Sequence, residues 1–264
     1  MQATMDVAPD SLETVVILAG GKGARLRSVV RDRPKAMAVV AGRPFAEWLL
    51  MALRDRGVRC VIFCTGYLGG MIEEHFGDGR GWGLQIAYSR DPIPLGTGGA
   101  VRHALDQIAA DRFVVMNGDS FCPVDLAHLA EAHMARHAWA TLWLVRVGDC
   151  RRFGSVVIDP HGDVLEFREK SQERGAGLIN AGIYMLERDA VRSIPEGCAV
   201  SIESEFFPRL IGHGLSAVVG EGPFIDIGTP EAYAQAGQYI SGEMPAKACA
   251  TLRVGKGKGK TDDR

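Results

Sequence analysis

The sequence predicts an α/β protein: a Rossmann-like three-layer α/β/α arrangement around a mixed, mainly parallel sheet. Three observations carry that expectation. Short apolar runs alternate with segments of helical periodicity at spacings of about 20–30 residues. The runs are apolar throughout, as strands covered by helices on both faces must be. After about residue 148 the rhythm changes to closely spaced strands with a tight turn, which makes the sheet mixed.

The elements follow in order. Residues 1–13 are polar and aperiodic and read as a flexible arm. Residues 14–19 form an apolar run that stops at two glycines, a buried strand. In 45–56, Phe45, Trp48, Leu49, Ala52 and Leu53 share one helical face, and Gly57 ends the helix. Strands are expected at 58–65, 84–88, 112–116 and 139–147, and helices at 67–76, 99–108 and 125–137. Residues 154–158 and 164–168 flank Asp159-Pro-His-Gly-Asp163, a hairpin. A long apolar strand at 177–186, a helix at 202–211 and a strand at 215–219 come next. The last helix spans 230–239, with Thr229 placed to cap it and Pro230 in its first turn. From 241 to 264 periodicity is lost and Lys alternates with Gly, giving a flexible basic tail. Residues 14–240 therefore form one domain, and no β-helix follows it.

Composition excludes several classes. Lys+Arg 30 against Asp+Glu 32 gives a net charge of -2, so no general nucleic-acid coat is expected. No apolar run approaches the ~18–20 residues of a membrane span. The N-terminal residues lack a basic-then-apolar export pattern, and the six cysteines hold no C-x-x-C pair, so a reducing cytoplasmic setting is expected. His128, His133 and His137 on one helix lack the Glu of a H-E-x-x-H site and read as a solvated face.

The chemistry concentrates after the first strand, in Leu18-Ala-Gly-Gly-Lys-Gly-Ala-Arg-Leu26. Glycines there let backbone N–H groups approach an anion. Residues 20–35 hold six cations (Lys22, Arg25, Arg27, Arg31, Arg33, Lys35) against Asp32 alone. That density suits several phosphates. No Walker A string occurs, and Gly21-Lys-Gly23-Ala-Arg-Leu26 lacks the third glycine of a dinucleotide loop, which disfavours nicotinamide chemistry. Asp119 closes Asn117-Gly118-Asp119 at the end of a strand, where open α/β sheets bind ligands. Asp226 lies between two large apolar residues, where a charge needs a partner or a metal. Two such carboxylates beside a basic glycine loop suit metal-assisted phosphoryl or nucleotidyl transfer.

Together these segments resemble the sugar-1-phosphate nucleotidylyltransferases, over about residues 14–240. The family's L-A-G-G-x-G-T-R-L…P-K-P-M signature reads here Leu18-Ala-Gly-Gly-Lys-Gly-Ala-Arg-Leu26 and Pro34-Lys-Ala-Met37. Ala24 and Ala36 replace the usual Thr and Pro. The resemblance implies a nucleotide-binding half (14–148) and a sugar-binding half (149–240). It assigns nucleotide contacts to Leu18, Ala19, Gly20, Gly21, Lys22, Gly23, Gly96, Thr97, Gly98, Asn117 and Gly118. It assigns sugar-phosphate contacts to Gly154, Glu169, Lys170, Asn180 and Gly182. Arg25, Lys35 and Asp119 would be catalytic, and Asp119 and Asp226 would hold Mg²⁺.

The implied reaction joins an NTP to a sugar 1-phosphate and expels pyrophosphate. Gly42-Arg-Pro-Phe-Ala46, Arg152-Phe-Gly-Ser155, Leu178-Ile-Asn-Ala-Gly-Ile-Tyr184 and Phe224-Ile-Asp-Ile-Gly-Thr-Pro-Glu231 look most like members that couple GTP to D-glycero-α-D-manno-heptose 1-phosphate. Mannose-1-phosphate guanylyltransferases and N-acetylmuramate-1-phosphate uridylyltransferases share much of the pattern, and a non-catalytic nucleotide-sugar sensor is the rival from another class. The sequence leaves homo-oligomerisation open.

Overall fold

The structure, a computed structural model, describes residues 13–168 and 175–240. Its strands are β1 (Thr14–Leu18), β2 (Val39–Val40), β3 (Arg43–Pro44), β4 (Cys60–Thr65), β5 (Gln85–Arg90), β6 (Arg112–Asn117), β7 (Ser120–Phe121), β8 (Ala140–Val147), β9 (Ser155–Ile158), β10 (Val164–Arg168), β11 (Gly177–Glu187), β12 (Leu215–Gly220) and β13 (Ile225–Asp226). Its helices are α1 (Phe45–Arg54), α2 (Gly70–Phe76), α3 (Gly96–Ala104), α4 (Leu126–Ala135), α5 (Arg188–Arg192), α6 (Phe207–Leu210) and α7 (Pro230–Ile240).

The central sheet has nine strands, with the path β10-β9-β11-β6-β1-β4-β5 and β8 and β12 branching from β11. Strands β5, β4, β1 and β6 run parallel. Strand β11 lies antiparallel to β6 on one side and to β8 and β9 on the other. Since β12 is parallel to β8 and β10 is antiparallel to β9, only β10 and β11 oppose the common direction. The expected mixed, mainly parallel three-layer fold is present.

Side-chain alternation along β1 builds two cores. Val15 and Ile17 face a layer containing α1, α2, α4 and α7. Val16 faces a layer containing α3, α5 and α6. Helix α1 buries Phe45, Ala46, Leu49, Leu50 and Leu53, an amphipathic stripe, and ends before Gly57 at φ 88. The hairpin forms as expected: Asp159 Oδ1 accepts from the N–H groups of His161 and Asp163. Thr229 caps α7 by accepting from Ala232 N at 3.3 Å.

Some elements differ from expectation. The helix expected from residue 99 begins at Gly96. The helix expected over 202–211 is a π-turn, Ile202–Phe206, leading into α6. Pro208 has no N–H to continue a regular ladder there. The solvated-histidine reading fails for His133, which is 1% exposed. Its ring nitrogens meet Thr141 Oγ1 at 2.8 Å and Glu187 Oε1 at 3.1 Å. Leu126, Leu129, Ala130 and His133 fall on one stripe at helical spacing, so the ring is carried into the core. Among the described residues, no helix is long and apolar enough to cross a membrane. The terminal arm (apart from Glu13) and the basic tail lie outside the described residues.

Candidate active site

Neighbouring strands β1 and β6 deliver the glycine loop and Asn117-Gly118-Asp119 to the same end of the sheet. Gly118 N donates to Leu18 O at 2.9 Å. A Cβ at Gly118 would lie 2.8 Å from that carbonyl, so only glycine allows the approach. Gly23 takes φ 59 and starts the 3-10 turn Ala24–Leu26 that carries Arg25. Arg27 stacks over Tyr67 at 4.7 Å, tying the loop to the segment after β4.

Two clefts open here. The larger, about 670 Å³, includes Leu18, Gly20, Gly21, Lys22, Asn117 and Asp119 in its lining. The smaller, about 260 Å³, includes Ala19, Gly23, Arg25, Lys35, Gly118 and Gly228. They share Leu18, Gly21 and Asp119. Sequence positions over 200 residues apart thus line one double chamber.

Beside Asp119, which both clefts share, Lys35 Nζ lies 2.5 Å from Asp119 Oδ2 and 3.7 Å from Asp226 Oδ1. The short ribbon of β7 and β13 brings the two carboxylates together, with Asp226 opposite Ser120. Ser120 Oγ donates to Asp119 Oδ1 at 3.3 Å, and Gly228 N donates to Asp226 Oδ1 at 2.5 Å. Two carboxylates already converge on one cation, and they face it with one negative charge in excess. Mg²⁺ is commonly held by one or two carboxylates with substrate phosphates completing its shell. The donor set therefore fits that ion, although no group of three or more metal-binding side chains occurs among the described residues.

The larger cleft also holds residues that the sequence reading missed. Asp91 lines it, and its buried Oδ1 has no hydrogen-bond partner. Burial pushes its carboxyl up to about 6, with His103 partly opposing the shift. A carboxylate just past the carboxyl end of β5, followed by Pro92, was the available signal. Glu203 lines the same cleft and accepts from Thr97 Oγ1 at 2.9 Å.

Gly96 and Thr97 line the larger cleft, as expected for nucleotide contacts, but Gly98 does not. Gly98 is buried, and its N–H is given to Val200 O at 2.8 Å. Its backbone is committed to packing, which corrects its expected place on the cleft.

On the expected sugar side, a bulge interrupts β11 between Asn180 and Tyr184 where it faces β8. Gly182 sits in it at φ 72, and a Cβ there would lie 2.5 Å from Asn117 Nδ2. The bulge seats β11 against the end of β6. Gly154 O accepts from Asn180 N at 3.3 Å. Glu169 and Lys170 lie outside the described residues.

Residues 14–242 match the family described as Nucleotidyl transferase. The chain is 40% identical over 237 residues to a mannose-1-phosphate guanylyltransferase of Mycobacterium tuberculosis, covering 88% of this chain and 66% of that protein. It is 36% identical over 222 residues to the D-glycero-alpha-D-manno-heptose 1-phosphate guanylyltransferase of Aneurinibacillus thermoaerophilus, covering 84% of this chain and 95% of that protein. The solved structure of HddC from Yersinia pseudotuberculosis complexed with GMP-PN superposes with a TM-score of 0.78 at 35% identity, covering 86% of this chain and 99% of that one. The glycine loop, the paired carboxylates and these similarities converge: the chain belongs to the nucleotidyl transferase family.

Proposed function

We propose that this chain joins GTP to a sugar 1-phosphate and releases pyrophosphate, with D-glycero-α-D-manno-heptose 1-phosphate as the sugar. The Lys35–Asp119–Asp226 centre carries the reading, because Asp119 lines both clefts, Lys35 lines the smaller one, and Asp226 closes on the same lysine. A sugar phosphate oxygen is already anionic near neutral pH and needs no base. In keeping with that, neither cleft is lined by a histidine among the described residues. The task is to bring two polyanions together. Like charges about 4 Å apart repel by roughly 4 kcal/mol at an effective dielectric near 20.

Asp119 and Asp226 would hold Mg²⁺, which supplies charge neutralisation at the transferred phosphoryl group. Arg25 and the N–H groups of residues 20–23 would bind the departing pyrophosphate. Lys35 would neutralise charge growing at the α-phosphate. Asn180 would take a sugar hydroxyl.

Asp91 supports guanine as the base. Guanine presents two adjacent donors, N1–H and N2–H₂, and an ionised carboxylate only accepts. The guanylyltransferase relatives agree with that choice. Heptose is supported by the motif strings and by a relative matched over 95% of its length. Mannose 1-phosphate is the second reading, favoured by the 40% identical relative. The deciding assay is pyrophosphate release with Mg²⁺ from GTP, UTP, dTTP, CTP and ATP against four sugar 1-phosphates: heptose, mannose, glucose and N-acetylmuramate. Turnover highest with GTP and the heptose is expected. Highest turnover with GTP and mannose 1-phosphate moves the sugar, and silence across the panel overturns the proposal.

A further inference from the structure

Five hydrogen bonds link the nucleotide cleft to the bulge of β11, and their proton directions are fixed. At one end, Ile202 N–H donates to Thr97 Oγ1 at 2.8 Å. The Thr97 hydroxyl proton is thereby left for Glu203 Oε2, 2.9 Å away. At the other end, Gly182 N–H donates to Asn180 Oδ1 at 2.9 Å, which fixes the amide orientation. Asn180 Nδ2 then donates to Tyr184 Oη at 2.8 Å. The phenol proton is left for Glu203 Oε1, 3.2 Å away. Two backbone N–H groups anchor the chain, and every bond points toward one carboxylate.

We infer that Glu203 is a positioning residue that couples occupancy of the larger cleft to the orientation of Asn180 on the sugar side. The inference rests on the nucleotidyl-transfer reading of the two sides. Glu203 lines the cleft, so a nucleotide hydroxyl reaching that wall can donate to its remaining lone pairs. Fixing Glu203 fixes the Tyr184 hydroxyl, which sits on a fully buried ring and has little room to turn. Tyr184 in turn holds Asn180. The second Nδ2 hydrogen of Asn180 and one Oδ1 lone pair stay free for a sugar hydroxyl. Nucleotide binding therefore preorganises the sugar contact.

The polarity makes a specific prediction for Glu203→Gln, which keeps shape and removes one acceptor. Its NH₂ must face either the Tyr184 hydroxyl or the Thr97 hydroxyl together with that of Ser201, which donates to the same oxygen of Glu203 at 3.4 Å. The Thr97 and Tyr184 oxygens already accept a bond, and both protons already point at residue 203. At nearly constant volume, one of the inward-pointing bonds is lost or reversed, which breaks the chain's polarity. Tyr184→Phe cuts the same chain from the other side.

The test measures KM for the sugar 1-phosphate at low and at saturating GTP, with melting temperatures as a folding control. In the wild type, saturating GTP should lower that KM about tenfold, within the usual range of site coupling. In Glu203→Gln and Tyr184→Phe the two KM values should converge, with melting temperatures within about 2–4 °C of wild type. Glu203→Asp, which keeps the acceptor charge, should recover part of the effect. A KM in the wild type that ignores GTP overturns the inference, as does a GTP-dependence that survives in both variants. Absence of pyrophosphate release from the wild type in any substrate pair instead overturns the reading beneath it.

Discussion

Replacing Asp91 by asparagine tests how the larger cleft chooses its base. The carboxylate has one buried oxygen without a partner, on the cleft wall. In Asp91→Asn one acceptor becomes a donor that faces the donors of guanine. A hydrogen bond to a charged group contributes about 1.5–3 kcal/mol. At about 1.4 kcal/mol per decade, kcat/KM for GTP should fall about 10–150-fold. Uracil presents one donor between two acceptors, so kcat/KM for UTP should change less, and the GTP/UTP ratio records the loss.

The pH dependence adds a second signature. Burial raises the Asp91 carboxyl to about 6. Roughly nine-tenths of the free protein then carries the charge at pH 7 and about a tenth at pH 5. The wild-type kcat/KM for GTP should fall as pH drops through 6, and Asp91→Asn should lack that limb. Stability moves the other way. A raised carboxyl pKa means that the folded chain holds the proton more tightly than the unfolded one. Ionisation at pH 7 therefore opposes folding, and that opposition fades as pH falls from about 7 to about 4. Asp91→Asn should melt at the wild-type temperature or above it at pH 7. An unchanged GTP/UTP ratio with an unchanged acid limb would refute the base-reading role.

Asp119→Ala should lower kcat by about 10²-fold or more, the scale of other preorganised charged groups. EDTA should abolish wild-type pyrophosphate release and added Mg²⁺ restore it; activity that persists in EDTA would sink the metal assignment. Gly182→Ala places a Cβ 2.5 Å from Asn117 Nδ2 at a φ of 72. About 1–2 kcal/mol of backbone strain is expected from the left-handed conformation, readable by urea unfolding, together with a raised KM for the sugar phosphate. His133→Leu removes one bond each from Thr141 and Glu187, which keep Ser216 and Arg112 as partners, and should cost about 1–3 kcal/mol at neutral pH. Burial holds the wild-type His133 below its usual pKa. The unfolded chain thus takes up that proton first, stability declines as pH falls below about 6.5, and the variant should lose that part of the decline.

The parallel half of the fold was legible because β1, β4, β5 and β6 are short apolar runs, each followed by a turn or a helix start. The glycine loop, Lys35, Asp119 and Asp226 were legible because their motifs place charge where the pattern otherwise demands apolar residues. Asp91 and Glu203 were not, since each is a single acid in a loop or turn, and its meaning comes from a wall assembled across the chain. His133 could have been read: its place on the stripe of Leu126, Leu129 and Ala130 is visible in the sequence. The burial of Gly98 depends on Val200, about a hundred residues away, and no local pattern announces it.

Strand β11 pairs with β6, β8 and β9 at once. The two halves expected from the sequence, 14–148 and 149–240, are therefore joined through one sheet and are not separable pieces of the chain. A fragment ending near residue 148 would leave the edges of β6 and β8 bare, an invitation to intermolecular pairing. Swapping sugar specificity between relatives by exchanging everything after that point would cut through the sheet. A graft that keeps β11 in place and exchanges only the segments flanking Gly154 and Phe224 respects the seam along which this protein is built.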